Sequence, residues 1–295
     1  MKPYGILFNP NAGNGESERK AKNLQEKLKN NKIDSFFIAG DSPENTIQKL
    51  IDRMSEISAI IAIGGDGTLN IVGTAFIRSN RSVPLGIIPG GTINNFAKRW
   101  NIPIDTEKAI AVILDNYTNK VSIGKCNDQA IISSFTFGKL ADISNDVRQS
   151  EKQKYGLIVY PYQALKKIGS KTSYLIRFKT EKEEQDLKTW VTLITTTSYV
   201  GGLPYTLDDP NAFHINILNN MTMSKAMAYL TYAFTGHLKG KKTITRLEAE
   251  SLEIINLDSE IKIQSRIDGD PGPDLPLHLE WKKDLIDLMV PIKKE

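Results

Sequence analysis

The feature that most constrains the fold is the alternation of short apolar runs with amphipathic stretches over residues 4–114. Apolar runs at 4–8, 36–38, 57–63 and 83–88 are typical of buried strands. Stretches with apolar residues at helical spacing lie between and after them, at 16–30, 43–54 and 106–114. Strands that alternate with helices favour a mainly parallel sheet covered by helices, so the first part of the chain is predicted to be an α/β domain.

The pattern changes in the second part of the chain. Segments 174–179, 213–217 and 261–263 alternate with a period of two, and 189–197 is β-branched and apolar. Such segments indicate half-buried antiparallel strands and a β-sandwich-like domain. A chain of 295 residues fits two domains. We predict them at 1–121 and 122–295, with the last strand or tail as a candidate to return to the first.

Composition limits the cellular setting. The longest apolar run, 57–63, is far shorter than the roughly 20 residues that span a bilayer, and no secretory signal precedes the first strand. The single cysteine, Cys126, agrees with a reducing compartment, so a cytoplasmic protein is predicted. Lys and Arg exceed Asp and Glu by 38 to 34, and no dense basic stripe is present, so nucleic acid is not an expected partner.

Three glycine-containing loops follow predicted strands: residues 9–15, 64–70 and 89–95. The second loop precedes an apparent helix that begins near Ile71. Glycines allow a close approach of backbone to ligand, and a helix start offers N–H groups to an anion. Ligands of open α/β sheets bind at the carboxyl ends of the strands, so the loops predict a phosphate site. A tight strand-to-helix turn is the alternative for any one loop alone.

The loops fit neither of two common nucleotide motifs. None has the Walker spacing, and none has the Gly-x-Gly-x-x-Gly spacing with a confirming acid. A P-loop enzyme or a dinucleotide dehydrogenase is therefore disfavoured.

The order and spacing of the motifs resemble the diacylglycerol kinase catalytic family, which includes bacterial lipid kinases and sphingosine kinases. The matching motifs are Asn9-Pro10 with Gly13, Gly64-Gly65-Asp66-Gly67-Thr68-Leu69-Asn70, Pro89-Gly90-Gly91-Thr92 with Asn94-Phe96-Ala97, Tyr155-Gly156 with Tyr160, Gly201-Gly202 with Leu207-Asp208-Asp209, and Asp268-Gly269-Asp270. The resemblance covers nearly the whole chain. It implies an NAD kinase/diacylglycerol kinase-like fold, with an ATP-binding α/β domain and a β-rich domain for a lipid substrate.

The resemblance also implies site residues. Those that would hold ATP are Asn9, Pro10, Asn11, Ala12, Gly13, Gly65, Asp66, Gly67, Thr68, Leu69, Asn70 and Thr92. Asp66 would face the metal and phosphate region. Asp268 and Asp270 jointly would supply the base that takes the proton from the attacking hydroxyl, because Asp270 stands where the family has a longer Glu. An Asp-Gly turn is the alternative for this triplet on its own.

A structural Mg²⁺ site is implied at Asp209, with backbone carbonyls from Thr206 and from a residue near Asn211. Oxygen ligands suit this ion. The chain has Asp209-Pro210 where the family usually has Asp-Gly, so a solvated turn remains an open alternative.

Two further departures remove acids expected from the family: Ile71 replaces a Glu and Asn95 replaces an Asp. These departures leave open a second function, that of a nucleotide- or lipid-binding regulatory protein that has lost catalytic turnover. An NAD kinase is another alternative. The expected function is an ATP- and Mg²⁺-dependent lipid kinase that acts peripherally at a membrane surface. A homodimer is left open as its assembly.

Overall fold

The computed structural model describes residues 2–9, 16–138, 173–200, 203–204, 211–219 and 244–292. The first elements in chain order are β1 (Tyr4–Phe8), α1 (Glu16–Asn30), β2 (Ser35–Ile38), α2 (Pro43–Arg53), β3 (Ala59–Gly64), α3 (Asp66–Ser79), β4 (Leu85–Pro89), α4 (Asn95–Arg99), α5 (Thr106–Asp115), β5 (Thr118–Cys126) and β6 (Gln129–Ile131). The strands described after them are β7 (Ser134–Gly138), β8 (Tyr174–Thr180), β9 (Glu184–Thr189), β10 (Val191–Thr195), β11 (Tyr199–Val200), β12 (Leu203–Pro204), β13 (Phe213–Leu218), β14 (Ile244–Ala249), β15 (Ser251–Asn256), β16 (Gln264–Ile267), β17 (Asp270–Asp274) and β18 (Leu277–Met289).

The chain divides into two compact units, Met1–Ser133 with Trp281–Glu295 and Ser134–Glu280. The division falls after Ser133, beyond the predicted boundary at 121/122, because β5 and β6 belong to the first unit. Side chains of α3 hold β6 there: the Thr74 hydroxyl accepts the N–H of Ala130 at 3.0 Å, and Asn70 donates to the Ala130 carbonyl at 2.7 Å. Most of β18 belongs to the first unit as well.

The first unit has a mainly parallel sheet with helices on both faces. Its strands follow the order β2-β1-β3-β4-β18, all paired in parallel, and β5 pairs with β18 and β6. Alternate residues of β3 point to opposite faces of the sheet. Ile60 and Ala62 pack with α2 and α3, whereas Ile61 and Ile63 pack with α1 and α5. The continuous burial of these strands explains why they appear in the sequence as apolar runs.

Helix starts in this unit are set by side-chain caps. The Ser42 hydroxyl accepts the N–H of Asn45 at the start of α2, where Pro43 occupies the first turn. The Asp105 carboxylate accepts the N–H of Lys108 at 2.9 Å at the start of α5. Among the described helices, none has the length and apolar character needed to cross a membrane.

The second unit is built from antiparallel strands. One sheet has the order β14-β13-β10-β7-β16-β17, and β15 pairs with β8, which pairs with β9. Residues Phe135, Phe137 and Phe178 are fully buried in its core, where the Phe137 ring contacts Phe135 edge-to-face and lies tilted against Phe178. An α/β domain followed by an antiparallel β domain confirms the predicted fold class.

One predicted strand begins later than expected. Residues 261–263 lie outside any strand, and β16 begins only at Gln264. The Asn256 side chain donates to the carbonyls of Asp258 and Ile261, both at 2.6 Å, and thereby closes a loop over these residues. A side chain that satisfies local carbonyls competes with strand pairing, which the alternation of apolar residues does not reveal.

Glu181 connects two turns of the second unit. Its carboxylate accepts the backbone N–H groups of Glu250 and Ser251, both at 3.2 Å. Partial burial acts to raise the pKa of this carboxyl, but backbone hydrogen bonds outweigh it and lower the pKa below its ordinary value of 4.5. The ionised form is therefore favoured in the folded protein.

We expect Glu181→Gln to remove a pH-dependent part of the stability. Because the folded pKa is lowered, this part is present above pH 4.5 and is lost as the pH falls through the folded pKa. At pH 7 the variant should be less stable than the original chain by at most about 1 kcal/mol, because solvent screens the site. The difference in stability between the two proteins should become smaller toward pH 3. Urea denaturation at several pH values measures it. Glu183→Gln, on the same turn, is the control, and equal behaviour of both variants would refute the assignment.

Candidate active site

Two glycine loops meet at the carboxyl ends of neighbouring parallel strands. Gly64 ends β3 opposite Pro89, the last residue of β4, and the Gly90 N–H donates to the Gly64 carbonyl at 2.9 Å. A Cβ atom added to Gly91 would lie 2.7 Å from the Cα of Gly65. Such a distance allows no side chain, so the second and third predicted loops are in backbone contact and glycine is required there.

Helix α3 begins at the second glycine loop. It begins at Asp66, so the predicted start near Ile71 was wrong. Gly65 is the last extended residue, and its carbonyl already accepts the N–H groups of Thr68 and Leu69, at 3.0 and 3.2 Å. The glycines made this first turn look like a loop in the sequence. The positive end of the helix macrodipole therefore lies at the loop itself.

Asp66 links the two loops. Its two carboxylate oxygens accept the backbone N–H groups of Asn95 and Phe96, at 3.0 and 3.2 Å, which are the first residues of α4. The carboxylate thus caps a helix that begins after the other loop, and it is half-buried there. Asp66 lies at the predicted phosphate region, and these two hydrogen bonds hold the start of α4.

The other residues predicted to hold ATP divide by exposure. Gly67 and Thr92 are exposed on the loops, and Thr68 is half-buried. The Leu69 side chain is buried in the core, so it can reach a ligand only through its backbone. Asn70 is turned toward β6, where its amide donates to the Ala130 carbonyl.

The first predicted loop is described only at its start. Asn9 is exposed and follows directly after β1, at the same end of the sheet as the other two loops. Pro10, Asn11, Ala12 and Gly13 lie outside the described residues.

Asn94, which was quoted for the resemblance but not assigned to the site, shapes the third loop. Its side chain accepts the Gly91 N–H at 3.0 Å and donates to the Gly91 carbonyl at 2.6 Å, with its own backbone in the left-handed region at φ 53°. Asn tolerates this conformation better than most residues. An Asn three residues after a Gly-Gly pair is the signal that predicts such a closed loop.

The two departures from the family are both packed into the protein. Ile71 packs against the core cluster on the α2 and α3 face of the sheet, and Asn95 is 7% exposed. Neither residue supplies a negative charge. A Glu at 71 would lose this apolar packing.

The predicted catalytic triplet of the second unit forms a hairpin turn. Ile267 pairs with Asp270, and the two residues between them have positive φ: 53° at Asp268 and 95° at Gly269. This is the arrangement of a two-residue Asp-Gly hairpin loop. One oxygen of the Asp268 carboxylate accepts the Ser134 N–H at 3.0 Å. Asp268 is half-buried, whereas Asp270 is exposed.

The predicted structural Mg²⁺ site stays a prediction. Thr206 and Asp209 lie outside the described residues, and Asn211 lies just before β13. In the part of the chain that the structure describes, no group of three or more His, Cys, Asp or Glu side chains could hold a metal ion.

A comparison with protein families matches residues 3–126 to the diacylglycerol kinase catalytic domain. These residues are therefore similar to that family's catalytic domain. The resemblance found in the motifs is thereby confirmed, and the matched residues include the three loops, Asp66 and Asn95.

Relatives match over nearly the whole chain. A "Putative lipid kinase" of Streptococcus pneumoniae is 27% identical over 95% of both chains. A "Diacylglycerol kinase" of Staphylococcus haemolyticus is 26% identical over 97% of this chain and 87% of its own. A solved structure of a "putative diacylglycerol kinase" from Bacillus anthracis is 19% identical, with a TM-score of 0.83 over 98% of this chain and 95% of its own. That structure shares the fold.

The contact between the two glycine loops predicts a sharp effect of Gly91→Ala. Its Cβ would meet the Gly65 backbone at 2.7 Å, so the loops must separate, and we expect a loss of about 1–3 kcal/mol of stability. Gly90→Ala is the matched control, because its Cβ would approach the nearest backbone atom only to 3.3 Å. Thermal unfolding compares the two. Equal losses would contradict the contact.

Proposed function

We propose that this protein is an ATP-dependent lipid kinase that transfers the γ-phosphoryl group to a lipid hydroxyl, with diacylglycerol or a related lipid alcohol as substrate. The observation that carries the proposal is the backbone contact of two glycine loops at the carboxyl ends of β3 and β4, inside a diacylglycerol kinase catalytic domain. The names of the relatives that match over nearly their whole length support the lipid as acceptor.

The loops fit the phosphates of ATP. Gly67 and Thr92 are exposed, and α3 begins at Asp66 with its positive dipole end. The N–H groups of Gly90 and Gly91 donate to the Gly64 carbonyl and the Asn94 side chain, so these two glycines shape the loops. Backbone N–H groups without side chains in the way, together with a helix start, are the elements that bind phosphate in α/β proteins.

Mg²⁺ fits this site with one carboxylate. Mg²⁺ in kinases is bound by substrate phosphates, water and one or two carboxylates, and it neutralises the phosphate charge. Asp66 is the carboxylate at the described loops that would hold it. Ile71 and Asn95 add no charge there, so we expect binding to depend on Asp66 and on the phosphates themselves.

The transfer needs a base for the lipid hydroxyl. Asp268 or Asp270 takes the proton as the hydroxyl oxygen attacks the γ-phosphorus. A new oxygen–phosphorus bond forms, and the bond from the γ-phosphorus to the bridging oxygen breaks. The electron pair of that bond leaves with ADP.

The proposed lipid lies in a membrane, so the protein must act at a bilayer surface. A formal net charge of +4 favours a weak attraction to anionic lipid headgroups. Vesicles that contain the lipid are therefore the proper form of the substrate.

The test is phosphorylation with radiolabelled ATP and Mg²⁺, over vesicles that contain diacylglycerol, a sphingoid base or another lipid alcohol, and over NAD in solution. Asp66→Ala, Asp268→Ala and Asp270→Ala are the variants. A lipid product that depends on these residues supports the proposal. Phosphate on NAD alone would indicate an NAD kinase, and ATP binding without any product would indicate a regulatory protein.

A further inference from the structure

Lys20 of α1 reaches the end of the neighbouring strand β4. Its ammonium lies 3.3 Å from the Pro89 carbonyl and 3.2 Å from the Glu16 carboxylate. Pro89 is the last residue of β4 and directly precedes the third glycine loop. Only 16% of the Lys20 side chain is exposed. A positive charge is thus held beside the loops that the proposed function assigns to the ATP phosphates.

Lys22 of the same helix shows what an ordinary surface lysine does here. It forms the same i,i+4 pair, with Glu18 at 2.8 Å, but its side chain is 66% exposed. Surface pairs of this kind contribute little to stability. The ion pair with Glu16 therefore does not explain why the Lys20 ammonium is held against the β4 carbonyl.

We propose that Lys20 is a phosphate-binding residue of the nucleotide site, an inference that rests on the proposed function. An ammonium has three donors, and the Pro89 and Glu16 contacts use two of them. Lysine binds phosphate as a point charge and needs no forked geometry. Glu16 is 54% exposed, so its carboxylate can turn into solvent when a phosphate takes its place beside the ammonium.

The test compares Lys20→Met with Lys22→Met, each titrated calorimetrically with ATP, ADP and adenosine. Loss of a charge-assisted hydrogen bond should weaken ATP and ADP binding by about tenfold or more in Lys20→Met, and leave adenosine unchanged. Lys22→Met should bind all three as the original chain does. Lys20→Arg keeps the charge and should restore most of the affinity for ATP. Thermal unfolding of each variant checks that it is folded.

The outcomes separate the two proposals. If the original chain binds no ATP, the proposed function fails, and the role of Lys20 fails with it. If it binds ATP and Lys20→Met binds equally well, the role of Lys20 alone is refuted. A loss that is the same for adenosine and ATP also refutes it, because Lys20 then only holds the loop in place through the Pro89 carbonyl.

Discussion

Asp66→Ala is expected to lower lipid kinase activity by at least about 100-fold and to destabilise the first unit. The carboxylate accepts two backbone N–H groups at the start of α4, and hydrogen bonds to a charged acceptor contribute about 1.5–3 kcal/mol each. Without them, the loop between β4 and α4 loses its tie to the loop after β3. A shift of about 1 Å in a positioning element can lower the rate of a reaction by 100-fold.

Asp105→Ala is the matched control for Asp66→Ala. Asp105 also accepts a backbone N–H at a helix start, that of Lys108 at 2.9 Å, but it caps α5 rather than the glycine loops. We expect Asp105→Ala to lower the free energy of unfolding by about 1 kcal/mol and to leave ATP binding unchanged. Chemical denaturation and calorimetric ATP titration measure both effects. If the two variants lose stability and retain ATP affinity to the same degree, Asp66 is only a cap.

Asp66 also shows where sequence reasoning stops. The strand before it was predicted well, because β3 is buried on both faces and its burial appears directly as an apolar run. The partners of its carboxylate were not predicted, because Asn95 and Phe96 lie about thirty residues further along. No local pattern contains a contact of that range. The resemblance named the residue without showing what it touches.

Helices were likewise predicted where a local pattern marks them and missed where distant contacts form them. The bounds of α1 were predicted correctly, since Ala21, Leu24 and Leu28 recur at helical spacing and are fully buried. Helix α4 was missed. It has only five residues, and its start is fixed by the Asp66 carboxylate rather than by a side chain of its own. A helix stabilised by tertiary contacts leaves too little periodicity to detect.

The return of β18 to the first unit was predicted only as a candidate. Its thirteen residues alternate for the most part, which indicates a strand but not its neighbour. Leu288 pairs with Leu85, far earlier in the chain, and the Val290 N–H donates to the Tyr117 carbonyl. Pairing over such a distance follows from the packing of the whole sheet, which a local pattern does not specify.

Asp268→Asn is expected to lower kcat by about 100- to 10,000-fold, the range for loss of a general base. Asn is the best replacement here, because it tolerates the left-handed conformation at φ 53° and its amide oxygen can still accept the Ser134 N–H. The hairpin should therefore persist, and stability should change little. What the variant loses is the negative charge that can take a proton from the lipid hydroxyl.

Asp270→Asn separates the two carboxylates of the hairpin. Asp270 is exposed at the start of β17, whereas Asp268 is half-buried and oriented by the Ser134 N–H, so we expect the larger loss of kcat at Asp268. A base that is held in place needs no reorientation at the moment of transfer. Steady-state kinetics over a pH range measures both variants, with ATP affinity as the check on folding. A larger loss at Asp270 would reassign the base, and full activity of both would remove the hairpin from the mechanism.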